Sequence, residues 1–68
     1  MRLYELRKKR RMSQVRLGIE LDIPQNTLSR YETGERQADY NTLIRIADYF
    51  NVSIDYLLER TDNPHLNK

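Results

Sequence analysis

The sequence predicts an all-α fold, a compact domain built from five short helices. Apolar side chains recur three and four residues apart along most of the chain, the spacing that gathers them on one face of a helix. Ser13, Asp39 and Ser53 each stand immediately before such a segment, and their side chains are of the kinds that cap helix N-termini. No stretch alternates apolar and polar residues as a half-buried strand does. With 68 residues, the chain has room for one domain and a small core.

The first two helices are predicted over residues 2–11 and Gln14–Leu21, the second of them capped by Ser13. Their inner faces would be formed by leucines three or four residues apart, which are Leu3, Leu6, Leu17 and Leu21. Val15 and Ile19 stand outside the inner face of the second helix. We expect them to pack under the first helix, and exposure for a partner is the alternative.

A third helix is predicted to start near Pro24, a residue that suits the first turn of a helix and disfavours helical geometry in the residue before it. Leu28 and Tyr31 would face inward. The helix should end near Glu32 or Thr33, because the glycine that follows can adopt the left-handed conformation that stops many helices.

The fourth helix is predicted over Tyr40–Phe50 with Asp39 as its cap. Its buried stripe would consist of Leu43, Ile46, Ala47 and Phe50. A short fifth helix would follow Ser53 and present three apolar residues, namely Ile54, Leu57 and Leu58. As a hypothesis, Tyr49, Tyr56 and Leu58 form an apolar patch through which two copies of the chain dimerise.

The composition excludes several functional classes. The chain has no cysteine, so disulfides, thiolate metal sites and thiol redox chemistry are excluded. No apolar run approaches the roughly 20 residues that a membrane helix requires, and we expect a cytoplasmic protein with no membrane partner. Acidic residues are scattered, and neither a glycine-rich phosphate loop nor a metal-ligand spacing occurs. The chain is therefore predicted not to be an enzyme and to need no cofactor and no metal.

Charge is distributed unevenly, although the formal net charge is only +2. Residues 1–16 contain seven Arg or Lys and one Glu, which gives +6, whereas residues 17–68 contain five basic and nine acidic side chains, which gives −4. A basic pole on a small domain attracts polyanions. From charge alone, a solvated basic helix that only aids solubility is an equal alternative.

The second and third predicted helices form a unit, because only about three residues join them and so short a turn holds two helices at a steep angle. Their junction requires a small residue, and Gly18 stands there although Gly costs about 1 kcal/mol relative to Ala in a helix interior. Close approach of the helices would justify that cost, while neutral drift is the alternative. Four polar residues share the outward face of the third helix, namely Gln25, Asn26, Ser29 and Arg30.

Residues 13–35, SQVRLGIELDIPQNTLSRYETGE, resemble the helix-turn-helix of the Cro/cI-type phage repressors and of the xenobiotic-response-element (XRE) family of bacterial regulators. Residues 41–58, NTLIRIADYFNVSIDYLL, are similar to the two helices that follow it in that family. The resemblance covers residues 3–63. It implies a lambda-repressor-like DNA-binding domain over residues 1–61, followed by a polar C-terminal tail at 62–68.

The resemblance also implies roles for single residues. Those that match positions contacting base edges in the major groove are Gln25, Asn26, Ser29 and Arg30. Those that match contacts to the DNA backbone are Gln14, Thr27, Gly34, Arg36 and Gln37. Arg7 and Glu32 match an ion pair that in relatives braces the first helix against the third.

The chemistry of these residue types agrees with the implied roles. Gln and Asn pair bidentately with adenine and Arg with guanine, each good pair giving about 1 to 3 kcal/mol of discrimination. Three residues depart from the family pattern. Asp22 stands where a glycine is common and can adopt the left-handed conformation at some cost, and Pro24 replaces a Ser or Thr cap. Glu35 lies in a loop expected near phosphates, so backbone contacts there should be fewer than usual.

The predicted function is a sequence-specific, double-stranded DNA-binding transcriptional regulator, a repressor that binds a palindromic operator as a homodimer with its third helix in the major groove. The alternative is a protein-interaction module, such as an antitoxin or adaptor subunit that holds a partner protein. Simpler interpretations of the residues also stay open. The outward face of the third helix would then be only a hydrated surface, and Arg7 and Glu32 would be exposed charges that never meet.

Overall fold

Five helices make up the secondary structure of the computed structural model, which describes residues 1–65. In chain order they are α1 (Leu3–Lys9), α2 (Gln14–Leu21), α3 (Gln25–Thr33), α4 (Tyr40–Phe50) and α5 (Ile54–Leu57). No strand occurs in this part of the chain, which confirms the predicted all-α class. None of the five helices has the length and apolar character that crossing a membrane requires. The last three residues of the tail predicted at 62–68 lie outside the described residues.

Three helices begin at the caps that the sequence predicts. The side chains of Ser13, Asp39 and Ser53 each accept a hydrogen bond from the backbone N–H three residues further on, at 3.0, 3.1 and 3.0 Å. Each bond satisfies an amide that has no acceptor inside its own helix. The caps therefore fix where α2, α4 and α5 begin, and the predicted bounds of α2 and α4 are confirmed.

The cap at Asp39 should make stability depend on pH. Hydrogen bonding with Thr42 lowers the pKa of the Asp39 carboxyl below its ordinary value. A carboxyl whose pKa is lower in the folded state stabilises the fold above its unfolded pKa, near 4, and this contribution is lost as the pH falls through the folded pKa. Asn caps helices equally well but does not titrate.

We therefore expect the free energy of unfolding to fall more for the wild type than for Asp39→Asn between about pH 7 and about pH 3. Urea titrations at the two pH values measure this difference. An equal fall in both proteins would show that the Asp39 cap contributes no pH dependence.

The first helix is shorter than the predicted residues 2–11. It ends two residues early because Arg11 adopts a φ of 56°, a left-handed conformation that a helix cannot continue. At its start, Arg2 is turned toward the C-terminal part of the chain. Its Nε donates to the carbonyl oxygen of Tyr56 at 2.9 Å, and its Nη2 donates to Asp62 Oδ1 at 3.0 Å. These bonds hold the start of α1 against α5 and the segment that follows it.

The core lies among the five helices and contains most of the apolar residues that the helical spacing predicted. Its buried members are Leu3, Leu6, Leu17, Leu21, Ile23, Leu28, Tyr31, Ile46, Ala47, Phe50, Val52, Tyr56 and Leu57. Leu43 and Ile54 are half-buried and pack against this core. The side chain of Leu58, by contrast, is 40% exposed. It follows the last residue of α5, where the chain leaves the helix and turns the side chain to the surface.

The expectation that Val15 and Ile19 pack under α1 is also wrong. They are 53% and 71% exposed. Successive residues of a helix are rotated by about 100°, so positions two before and two after the buried Leu17 lie on the opposite side. The apolar pattern of α2 therefore has two faces, and only one of them enters the core.

The dimerisation patch predicted from Tyr49, Tyr56 and Leu58 does not form. Tyr56 is buried in the core, and its hydroxyl lies 3.3 Å from Glu5 Oε2. Tyr49 is half-buried, with its hydroxyl 3.4 Å from Glu20 Oε1 of α2. The two tyrosines therefore contact different helices, and of the three side chains Leu58 is the exposed apolar one.

Candidate nucleic-acid interface

Backbone contacts close the turn between α2 and α3. Asp22 takes the left-handed conformation expected for it, with φ 56° and ψ 47°. The Ile23 N–H donates to the Gly18 carbonyl oxygen at 2.9 Å, which ends α2. A Cβ on Gly18 would lie 2.7 Å from the carbonyl oxygen of Ile23, closer than real Cβ atoms come. The absence of a side chain at Gly18 thus allows the close approach that sets α3 against α2.

We expect Gly18→Ala to destabilise the domain by about 1 to 2 kcal/mol, since the cost of overpacking exceeds the gain in helix propensity. The new methyl group would meet a backbone carbonyl, which cannot move aside as the end of a flexible side chain can. Urea unfolding measures the effect. Gly34→Ala is the comparison, because a Cβ there would meet no atom within 4 Å and only the φ of 84° opposes it. A Gly18→Ala protein as stable as the wild type would contradict the close approach.

The third helix buries one side and exposes the other. Leu28 and Tyr31 lie in the core. The outward side holds the four residues predicted to contact bases, of which Ser29 is half-buried and the others are exposed: Gln25, Asn26, Ser29 and Arg30. No ion pair engages the Arg30 guanidinium within residues 1–65. The structure therefore brings these four side chains together on one surface, with a free cation at one end.

The N-terminus of α3 has no side-chain cap, since Pro24 holds the N-cap position. The first backbone amides of a helix have no acceptor within it. Asn26 Oδ1 accepts from the N–H of the half-buried Thr27 at 2.9 Å, so one of these amides is occupied and the Asn26 side chain is folded back onto the helix. A ligand that uses the Asn26 carboxamide would have to displace this local hydrogen bond.

A buried ion pair joins α1 to α3. Arg7 Nε lies 2.6 Å from Glu32 Oε2 and Arg7 Nη2 lies 3.1 Å from Glu32 Oε1, with the two side chains 9% and 4% exposed. Arg7 Nη1 also donates to the carbonyl oxygen of Met12 at 2.8 Å. The side-chain hydrogen bond to Glu32 raises the pKa of Arg7 above its ordinary value, so the guanidinium stays charged. Paired hydrogen bonds of this kind fix orientation as well as distance.

Gln14 continues this polar network to the surface. Its Nε2 donates to Glu32 Oε1 at 2.9 Å, and its Oε1 lies 3.5 Å from Gln25 Nε2, at the long limit of a hydrogen bond. A carboxamide nitrogen has two N–H groups, so Gln14 keeps one donor for a ligand. The contacts run from the buried ion pair to the first residue of α3, and they restrict the rotation of both glutamines.

The loop after α3 exposes Arg36 and Gln37. Gly34 has a φ of 84°, and this conformation is what requires glycine, because the space around its Cα is open. The backbone N–H of Arg36 donates to the carbonyl oxygen of Arg30 at 3.3 Å, so this amide is already occupied. Glu35 is exposed in the same loop. The Arg36 side chain is the cation that this loop can offer to a phosphate.

The basic side chains of residues 1–16 divide into two groups, which sequence reasoning did not separate. Arg2 and Arg7 pair with carboxylates and have side chains only 17% and 9% exposed. The others are exposed, namely Lys8, Lys9, Arg10, Arg11 and Arg16. The sequence contains one indication that Arg11 adopts a left-handed backbone conformation. The first helix had to end before the cap at Ser13, and no glycine or asparagine stands there to turn the chain.

Comparison with known proteins places residues 3–57 within a family model described as helix-turn-helix. The chain is 38% identical over 61 residues to the uncharacterized HTH-type transcriptional regulator YqaE of Bacillus subtilis (strain 168), a match that covers 90% of this chain and 53% of YqaE. It is 39% identical over 61 residues to the HTH-type transcriptional regulator ImmR of the same organism, covering 90% of this chain and 48% of ImmR.

A third relative, the uncharacterized HTH-type transcriptional regulator YobD of Bacillus subtilis (strain 168), is 30% identical over 63 residues, covering 93% of this chain and 56% of YobD. The chain thus spans about half the length of the curated relatives it matches. No solved structure matches the chain significantly.

Proposed function

This chain belongs to the Cro/cI-type (XRE) family of helix-turn-helix proteins, and we propose that it is a sequence-specific, double-stranded DNA-binding transcription regulator that inserts α3 into the major groove. One observation carries the proposal. The outward face of α3 groups amide, hydroxyl and guanidinium side chains. On its inner side, the helix is held by the buried ion pair between Arg7 and Glu32 and by the close approach of Gly18 to the Ile23 carbonyl. A scaffold of this kind presents side chains in a fixed geometry, which base recognition requires.

The proposed base contacts follow from the chemistry of the outward face. Gln25 and Asn26 offer carboxamides, which pair bidentately with adenine, and Arg30 offers a guanidinium, which pairs with guanine. Gln25 and Arg30 are five residues apart, roughly 7.5 Å along the helix axis, which corresponds to about two base-pair steps of 3.4 Å. Ser29 lies between them and can bond either kind of base edge. The face therefore suits a short run of adjacent base pairs.

The proposed backbone contacts surround this face. They are assigned to Gln14, Thr27, Gly34, Arg36 and Gln37. Gln14 has one N–H group free beside its hydrogen bond to Glu32, and the N-terminus of α3 supports anion binding because of its free amides and its partial positive charge. The Arg36 amide is excluded as a donor, so the loop would act through the Arg36 and Gln37 side chains.

We further propose a homodimer on a two-fold operator, acting as a repressor by occupying a promoter in the cytoplasm. Half-sites one helical turn apart lie about 34 to 36 Å from each other. The domain measures 32 Å along its longest axis. Two copies bound one helical turn apart, with this axis along the duplex, would therefore bring surface side chains of one copy within reach of the other. Leu58 is 40% exposed and supplies apolar surface for such a contact.

Selection of bound duplexes from a random pool tests the proposal. We expect a palindromic consensus whose half-sites are centred about 10 base pairs apart or a multiple of that distance. Binding of the selected duplex should weaken steeply as salt is raised. A pool that stays random after repeated rounds at low salt would refute sequence-specific binding. A consensus without two-fold symmetry would refute the dimer and leave specificity intact.

A second candidate function is a protein-interaction module of the antitoxin or adaptor kind. It is favoured by one observation, the exposure of Val15 and Ile19 at 53% and 71% beside the turn between α2 and α3. Clustered exposed apolar side chains are typical of surfaces that bind other proteins. Retention on heparin or random-sequence DNA at low salt separates the two functions. A pure adaptor should pass through such a column, whereas a DNA-binding regulator should be retained and elute with salt.

A further inference from the structure

We infer that a second basic surface, at the junction of α1 and α2, binds the sugar-phosphate backbone of DNA beyond the bases that α3 contacts. We call this surface the basic corner. It is a groove of about 530 Å³ formed by Arg10, Arg11, Met12, Ser13, Arg16 and Tyr49. The inference rests on the proposed function, because it extends the contact that the same domain makes with a duplex.

The positive charge of the basic corner is not neutralised within the domain. No carboxylate pairs with Arg10 or Arg11 among residues 1–65. Arg16 lies 3.6 Å from Glu20, but these side chains are 68% and 38% exposed, and an ion pair so open to water is weak. The groove therefore keeps three guanidinium groups available to an anion.

Arg10 is held in place without using its hydrogen-bond donors. Its guanidinium carbon lies 5.3 Å from the ring centroid of Tyr49 and 4.9 Å from that of Phe50. Contacts between a cation and aromatic rings fix the position of the charge while the N–H groups stay free. A guanidinium that is already fixed loses little side-chain entropy when it binds a phosphate.

Arg11 stands where the backbone favours a different residue. Its φ of 56° is a conformation that glycine and asparagine adopt readily and that strains other residues. The Arg11 side chain is exposed, so it does not contribute to the core in compensation. A strained residue whose cation faces solvent indicates that the charge serves a purpose other than stability.

The position of the basic corner favours a duplex over an acidic protein as its ligand. Ser13 lines the groove and is the residue immediately before Gln14, which is assigned to a phosphate in the proposed function. Consecutive Cα atoms are about 3.8 Å apart, so the groove begins beside that contact. Gln14 touches α3 through Gln25, whereas the residues that line the groove belong to the junction of α1 and α2, to α2 and to α4. The basic corner therefore extends the phosphate-binding surface away from α3, toward the flank of the half-site.

The test compares two duplexes with the same selected half-sites, one ending at them and one continuing for about four base pairs, roughly 14 Å, at each end. Wild type should bind the longer duplex more tightly than the shorter one, and this difference should be smaller for Arg11→Gly and Arg11→Asn, which keep Arg10 and Arg16. On the longer duplex, the variants should lose about two- to fivefold in affinity per chain. The slope of log K against log salt should also decrease by about 0.9 per chain, and Arg11→Lys should keep most of that slope.

Loss of folding does not complicate this test. Gly and Asn relieve the left-handed strain, so these variants should melt at the wild-type temperature or above it. Arg60→Gln is the control for net charge, because it removes an exposed cation beyond α5, near the opposite end of α1, and should leave the dependence on flanking DNA unchanged.

The inference would be overturned if the wild type and Arg11→Gly depended equally on flanking DNA. A basic corner that binds an acidic protein instead of DNA would give this result. That result would leave the proposed function standing, provided that the wild type still binds its selected sequence. A wild-type chain that binds neither duplex would overturn both.

Discussion

Glu32→Ala is expected to destabilise the domain by about 3 to 5 kcal/mol, the usual cost of leaving one charge of a buried pair without its partner. The Arg7 guanidinium is 9% exposed and would keep only the Met12 carbonyl oxygen as an acceptor. Gln14 Nε2 would lose its acceptor at the same time. A domain of this size has a net stability of only about 3 to 5 kcal/mol, so the variant should be largely unfolded at room temperature. Circular dichroism during urea titration measures the change.

Two further proteins show whether the lost ion pair is the cause. Glu35→Ala removes an exposed carboxylate three residues away and should change stability by less than about 0.5 kcal/mol. The double variant Arg7→Met, Glu32→Leu replaces both charges with apolar side chains of similar size. Such replacements are often neutral or stabilising, so the double variant should regain most of the stability that Glu32→Ala loses. If the double variant is as unfolded as Glu32→Ala, the unpaired charge of Arg7 is not what destabilises Glu32→Ala.

Arg30→Ala should have the largest effect on recognition. We expect its affinity for the selected duplex to fall by about 1 to 3 kcal/mol, roughly 5- to 150-fold, because a bidentate contact to guanine would be lost. Binding to random duplex should hardly change, since a base contact adds little to binding that depends on phosphates. The Arg30 side chain is exposed and outside the core, so the fold should be unaffected. Titrations of both duplexes under identical salt conditions give the two affinities.

Two comparisons make the Arg30 result specific. Gln14→Ala should weaken both duplexes, because its proposed contact is with the backbone. Arg60→Gln removes an equal exposed charge from the segment that follows α5, which holds none of the proposed DNA contacts, and should weaken neither by a measurable amount. Equal losses on selected and random duplexes for Arg30→Ala would reject base recognition by this residue and leave it a phosphate contact at most.

Local features were predictable from the sequence, whereas long-range ones were not. The caps at Ser13 and Asp39 act on amides three residues away, so the starts of α2 and α4 could be inferred from neighbouring residues alone. The outward face of α3 followed in the same way from helical spacing. The burial of Arg7 against Glu32 involves residues 25 positions apart, and only family resemblance suggested it. Nothing local to either residue indicated that the pair would be buried.

The wrong prediction for Val15 and Ile19 has a physical origin. Spacing identifies apolar residues that share a face, but it does not decide which of two apolar faces enters the core. Leu17 and Leu21 are buried, and Val15 with Ile19 is exposed, because α3 and α4 pack on one side of α2 only. In the candidate site, the contacts of Gln14 with Glu32 and Gln25 were likewise missed. They depend on how α2 and α3 meet, which no segment of sequence specifies by itself.

The division of α3 into a buried side and an outward side has an evolutionary consequence. Leu28 and Tyr31 anchor the helix, whereas Asn26, Ser29 and Arg30 contribute nothing to the core. The outward residues can therefore be substituted without compensating substitutions in the core. Paralogues that share this scaffold are free to diverge in target while keeping the same architecture, and an engineer can retarget the domain by the same few exchanges.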